Sequence, residues 1–327
     1  MRTLILSKLL PFLYAFEANI NSICKKLGYV FEPPSYWLNL QAEYDEEQLR
    51  IQEENEITKA EIDILKPLHD ISTYFIECGY IHNNCGDASK VMQLREFLQI
   101  SNLTLIPKIP YYAAYRAQLT TNIKVDPYVL FAWQRLCEKE TESIKVNRVV
   151  DKKLLRSSIS RIKDAMFGNI DKGIQELQSI FSKCGIAFQV VKNFRGAPVQ
   201  GFIKETTDGR LILCLTIRGK RADRFWFTLF HEIAHILNGD YKTRFVDFDS
   251  VQGKKEEIAD RYAGDTLISP EKYRKFILSK DCTTWNNIKA FAEAVGVEPF
   301  IVLGRLQNDG ILDWSDFSDR IVRYSWA

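Results

Sequence analysis

Residues 225–239 read Phe225-Trp226-Phe227-Thr228-Leu229-Phe230-His231-Glu232-Ile233-Ala234-His235-Ile236-Leu237-Asn238-Gly239. The run is apolar almost throughout and reads as a buried helix. Asn238-Gly239 supplies the C-terminal stop that such a helix needs. Positions four apart share one helix face, so His231 and His235 lie side by side, one turn apart. Glu232 falls on the neighbouring face. Two imidazoles so placed can ligate one zinc ion. A carboxylate beside them can take a proton from water as a general base. The plainer reading is a pair of core histidines hydrogen-bonded to their neighbours. Against it, the chain has only four histidines and two of them stand here.

A catalytic zinc site takes three protein ligands and leaves a fourth place for water. The next helix downstream offers the third. Lys254-Lys255-Glu256-Glu257-Ile258-Ala259-Asp260-Arg261-Tyr262-Ala263-Gly264-Asp265-Thr266-Leu267-Ile268 runs to a stop at Ser269-Pro270. Glu256 and Asp260 are four apart and share a face. The first can bind metal while the second accepts a hydrogen bond from a ligand histidine. Glu257 is the alternative ligand, but the residue four beyond it is Arg261. Two histidines and one carboxylate accept Zn2+ and also Mn2+. The sequence names no oxyanion donor, and Tyr262 and Arg218 are no more than guesses for that role.

The chain has 327 residues, 46% hydrophobic and 26% charged, enough for two domains or one large one with a sizeable core. Lys+Arg total 44 and Asp+Glu 42, so bulk charge argues for neither nucleic acid nor membrane as a partner. Seven cysteines at irregular spacing do not form a disulfide framework and fit a reducing cytoplasm. Cys78, His82 and Cys85 match no common zinc spacing and read as buried thiols and a loop histidine. Met1 to Phe16 is apolar, but Lys8 and Pro11 interrupt it. It reads as a helix packed on the domain rather than a signal peptide. No stretch reaches the roughly 18 apolar residues of a membrane span.

The fold class expected is α+β. Residues 1–150 read as a mainly helical regulatory or interaction domain. They hold helices over Leu4 to Leu27, from Ser35 as N-cap through a charged run to Glu56, from the Thr58-Lys59-Ala60-Glu61 capping box, over Asp87 to Leu98, and after Asp126-Pro127. Glu138 to Lys153, polar and basic, marks the boundary. Residues 151–327 hold one or two helices over Leu154 to Lys183. Strands follow at Ile186 to Val191, Val199 to Ile203 and Leu211 to Ile217, the last two joined by a hairpin at Asp208-Gly209. A small antiparallel three-stranded sheet then packs against the histidine helix and buries Phe225, Trp226 and Phe230.

The residues His231-Glu232-Ile233-Ala234-His235, Glu256-x-x-Ala259-Asp260-x-Tyr262-Ala263 and Leu267-Ile268-Ser269-Pro270 together resemble the ImmA/IrrE family of bacterial metallopeptidases. The resemblance covers roughly residues 160–310. Many members carry a second Glu where Ile258 stands, which favours Glu256 as the ligand. It implies a zincin-like peptidase domain in which His231, His235 and Glu256 hold zinc and Glu232 is catalytic. The substrate it implies is a protein, a transcriptional repressor or antitoxin. Ala18 to Tyr44, with Tyr36-Trp37-Leu38-Asn39-Leu40-Gln41-Ala42, is similar to the tail of an Xre-type helix-turn-helix regulator of the HigA antitoxin kind. The reading helices of that module are shortened or missing here.

The competing expectation is a DNA-binding regulator or antitoxin with a sensory or inactive peptidase-like domain. Its carrier is Ile288 to Leu306, two apolar helices around Gly296 spaced like a helix-turn-helix. The second of them lacks a basic, polar face, as expected of a core helix. In a further reading the helical half is a docking module for a toxin or repressor.

Overall fold

The computed structural model describes residues 33–83, 86–109, 125–146, 149–206, 209–242, 251–279 and 281–325. The helix expected over Leu4 to Leu27 lies outside these residues, as do Cys85, Asp208 and the loop through Phe245 and Phe248. The chain divides into two compact units. One takes residues up to Asp63 with His82–Leu94, and the other takes Ile64–Ile81 with Arg95 onward.

Helix α1 (Pro34–Glu56) is entered through Pro33, with no side-chain cap. Ser35, expected as N-cap, lies inside the first turn, because Pro34 has its φ already fixed for the first helical position. None of its side chains is buried, as its charged sequence requires. Helix α2 (Lys59–Ile64) begins at the capping-box threonine, whose Oγ1 accepts from Glu61 N at 3.4 Å. Helix α3 (His69–Glu77) ends at Gly79, where φ is +73°. Helix α4 (Asp87–Leu98) buries Val91, Leu94 and Leu98, the stripe its spacing marks. Cys78, expected buried, is exposed, and so is His82.

Helix α5 (Pro127–Thr141) has Pro127 in its first turn, and the Asp126 carboxylate accepts from the N–H groups of Tyr128 and Val129. Residues 152–183 form three helices where one or two were expected: α6 (Lys152–Ser157), α7 (Ile159–Asp164) and α8 (Ile170–Lys183). Gly168, at φ +86°, and the Asn169 cap make the second break.

The sheet is mixed, which corrects the all-antiparallel expectation. Strands β1 (Ile186–Val190), β2 (Gly201–Glu205) and β3 (Leu211–Leu215) lie in the order β1-β3-β2. The hairpin signal fixes only the antiparallel β2–β3 pair. β1 runs parallel to β3, with Ile186 opposite Leu211. The intervening residues 191–200 carry β2 to the far side of β3. A Phe194–Ala197 bridge and the bond from Thr216 N to Gln200 O hold them there. β3, central between two neighbours, is buried along its whole length.

Helix α9 (Ala222–Asn238) packs against β2 and against α10 (Val251–Leu267). It buries Phe225, Trp226, Leu229, Phe230, Ile233 and Ile236. Each such side chain contributes about 1.5–3 kcal/mol over its exposed state. Trp226 Nε1 donates to Tyr324 Oη at 2.9 Å, and Ala222 N donates to Val322 O, so the C-terminal segment is laced to the start of α9. Helices α11 (Pro270–Ile277), α12 (Trp285–Val295) and α13 (Pro299–Asn308) complete the unit. α12 and α13 meet at Gly296 (φ +70°), as the helix-turn-helix spacing expects. α13, however, buries Phe300, Ile301, Val302, Leu303 and Leu306. Arg305 turns inward, donating to Gly264 O and Ile268 O at the end of α10. Among the described residues no helix is long and apolar enough to cross a membrane.

Arg221 grips Asp223 through two 2.9 Å bonds and also donates to the buried Gln307 at 2.7 Å. Gly304 lies against this network: a Cβ there would stand 2.8 Å from both Cβ and Cγ of Asp223. Asp223 is held and cannot give way. Gly304→Ala is therefore expected to cost about 1–3 kcal/mol, the penalty of overpacking. Gly296→Ala meets no atom within 4 Å and pays only for its positive φ, about 1 kcal/mol. Urea unfolding of both variants checks the order.

Candidate metal centre

His231 and His235 project from α9 toward α10, their rings 4.8 Å apart. Nε2 of His231 lies 3.0 Å from Nε2 of His235 and 3.0 Å from Glu256 Oε2. The third edge, His235 Nε2 to Glu256 Oε2, is 3.6 Å. Ligands 2.0–2.1 Å from a tetrahedral zinc stand roughly 3.3 Å from one another. The triangle fits that edge length, and two imidazoles with one carboxylate are the donors that zinc accepts. The group His231, His235 and Glu256 could hold a metal ion. Glu257, the alternative, is exposed and is not a member of the group.

Each ring has its other nitrogen engaged. Asp260 Oδ1 lies 2.8 Å from His231 Nδ1, the contact its i+4 spacing from Glu256 leads one to expect. Asp240 Oδ1 lies 2.9 Å from His235 Nδ1. Asp240 was not singled out in the sequence. Its only signal was its place directly after Asn238-Gly239, where a chain reversal turns the next residue back over the helix. Gly239 has φ +80° and donates its N–H to His235 O at 2.9 Å. Both carboxylates favour the tautomer with Nδ1 protonated and Nε2 able to ligate.

Without a cation the triangle attracts a proton. Burial opposes an imidazolium at His231, but the hydrogen bonds with Asp260 and Glu256 and the nearby charge of Glu232 lift its pKa to about 9. A cation answers the same negative potential.

Glu232 is 3% exposed and packs on the backbone of β2 at Gly201. A Cβ at Gly201 would come within 2.7 Å of Glu232 Cγ and 2.8 Å of its Cδ. The strand thus leaves room for the carboxylate by lacking a side chain. Gly201 is a second residue that the sequence reading passed over, since a lone glycine at a strand end carries no metal-site signature. Tyr262 and Arg218 are not brought to the histidines. Tyr262 packs on the core with its hydroxyl near Thr266, and Arg218 donates to Pro198 O at 3.2 Å. Phe227, 37% exposed, sits one turn before His231, with its ring 6.4 Å from the imidazole.

Compared with protein-family models and with curated proteins, the chain matches none.

Replacing Glu256 by Gln is expected to weaken metal binding by more than the roughly 10–100-fold typical of outer-sphere changes. Glu257→Gln should leave it unchanged. Gly201→Ala should keep the metal while displacing Glu232. Competition titration with a chromophoric chelator measures the first two, and a crystal structure of the variant checks the third.

Proposed function

We propose that this chain is a zinc-dependent endopeptidase of the ImmA/IrrE kind, cleaving a protein substrate that is a transcriptional repressor or an antitoxin. The observation that supports it most is the convergence of His231, His235 and Glu256 beside a buried Glu232. Zinc in such a set supplies Lewis-acid polarisation of a carbonyl and acidifies water enough to ionise near neutral pH. Glu232 takes the proton from the attacking water and delivers it to the leaving amine. Its position is fixed from one side by α9 and from the other by Gly201. Asp260 keeps the imidazole of His231 oriented.

The same donors admit manganese, and metal analysis of the purified chain distinguishes the two. A reducing cytoplasm belongs to the proposal. Among the described residues the five cysteines, Cys78, Cys137, Cys184, Cys214 and Cys282, are free thiols. In the rival reading, a DNA-binding regulator, Ile288 to Leu306 would read the DNA, but α13 turns its apolar side and Arg305 inward, which favours the peptidase reading for that segment.

Cell extract incubated with the purified protein, followed by mass spectrometry of new N-termini, identifies the cleaved proteins whatever the substrate is. Glu232→Gln should keep zinc and lose about 10²–10⁴-fold in cleavage rate. A zinc-loaded Glu232→Gln protein that cuts like the wild type overturns the assignment.

A further inference from the structure

The geometry points to Asp240 as a positioning residue of the metal centre, holding His235 as Asp260 holds His231. This rests on the metal-site reading above. Three observations carry it. Its Oδ1 stands 2.9 Å from Nδ1 of His235, whose Nε2 is one corner of the ligand triangle. The pair is enclosed, with side-chain exposures of 2% for His235 and 12% for Asp240, against 59% for Asp260. The backbone is also built to bring Asp240 there. Gly239 closes α9 at φ +80°, and the short 3-10 turn Asp240–Lys242 begins at once, lying against both α9 and β2. Lys152 fixes the same corner by donating to Leu237 O at 3.2 Å, and its Nζ would stand 2.9 Å from any Cβ at position 239.

An imidazole that could rotate about its side-chain bonds would spread Nε2 over several positions. A carboxylate on Nδ1 restricts it to one, and the ligand set is preorganised. Asp260 is exposed and water competes for it. Asp240 is enclosed, so it is the more rigid of the two anchors.

The test is zinc affinity of the full chain, by chelator competition, for wild type, Asp240→Asn, Asp240→Ala and His235→Ala, together with the visible spectrum of the cobalt-loaded forms. Asp240→Ala should bind zinc about 10–100-fold more weakly. Asp240→Asn should lose less, because its amide oxygen still accepts from Nδ1–H. The cobalt bands of Asp240→Ala should also change, which a stability defect in a correctly formed site would not produce. Should Asp240→Ala fail to fold, Asp240→Asn decides: weakened binding with altered cobalt bands supports the role. Unchanged affinity and an unchanged cobalt spectrum in the folded variant, with binding lost in His235→Ala, overturn it. Wild type that binds no zinc, or His235→Ala that binds like wild type, overturns the metal-site reading itself.

Discussion

Two imidazoles one turn apart make a metal site only if a third ligand stands within about 3.3 Å of both, and that depends on how two helices are held together. α9 and α10 supply the three donors from residues 231, 235 and 256, and among the described elements of the unit their contact is the most extensive. Everything around them restrains that contact. Phe225, Trp226, Leu229 and Phe230 are buried in the core on the side away from solvent. A helix so embedded cannot roll, and rolling by a few tens of degrees would separate His231 from Glu256.

The ends of both helices are tied as firmly as their faces. The last carbonyls of a helix have no partner within it, and here cations supply one. Lys152 reaches Leu237 O on α9, Lys163 reaches Leu267 O on α10, and Arg305 reaches Gly264 O and Ile268 O. At the other end of α9 the Asp223 carboxylate suits the positive pole of the helix dipole, and its partner Arg221 extends the network to the buried Gln307. These contacts come from segments far apart in the chain, so the candidate metal centre is fixed by elements from Lys152 to Gln307. They also explain why α13 is a core helix: its Arg305 and Gln307 are occupied by this scaffolding.

The local rules of the chain were largely readable. Periodicity and caps placed α4, α5, α9 and α10, because those signals act within a turn of where they are written. The misreadings have two causes, one local and one long-range. Proline's fixed φ moved the start of α1 ahead of Ser35. The hairpin signal at Gly209 said which strands are joined, and it could not say that residues 191–200 would carry β2 past β3 and leave β1 parallel to it. Strand order is settled by which faces find a core, a matter of contacts distant in sequence.

By itself the sequence determined the donors: two histidines one helical turn apart, a glutamate beside the first, and an acidic helix downstream with the spacing for a ligand and its hydrogen-bonding partner. Helix periodicity fixes those relations whatever the rest of the chain does. The spacing to Asp260 already favoured Glu256 over Glu257, and the structure brings Glu256 to both imidazoles. Only the tertiary structure decided that Asp240 takes the second imidazole and that Gly201 makes room for Glu232. Each of these is a distance between separate elements. Such distances are set by how side chains pack in the core, which one-dimensional spacing does not encode.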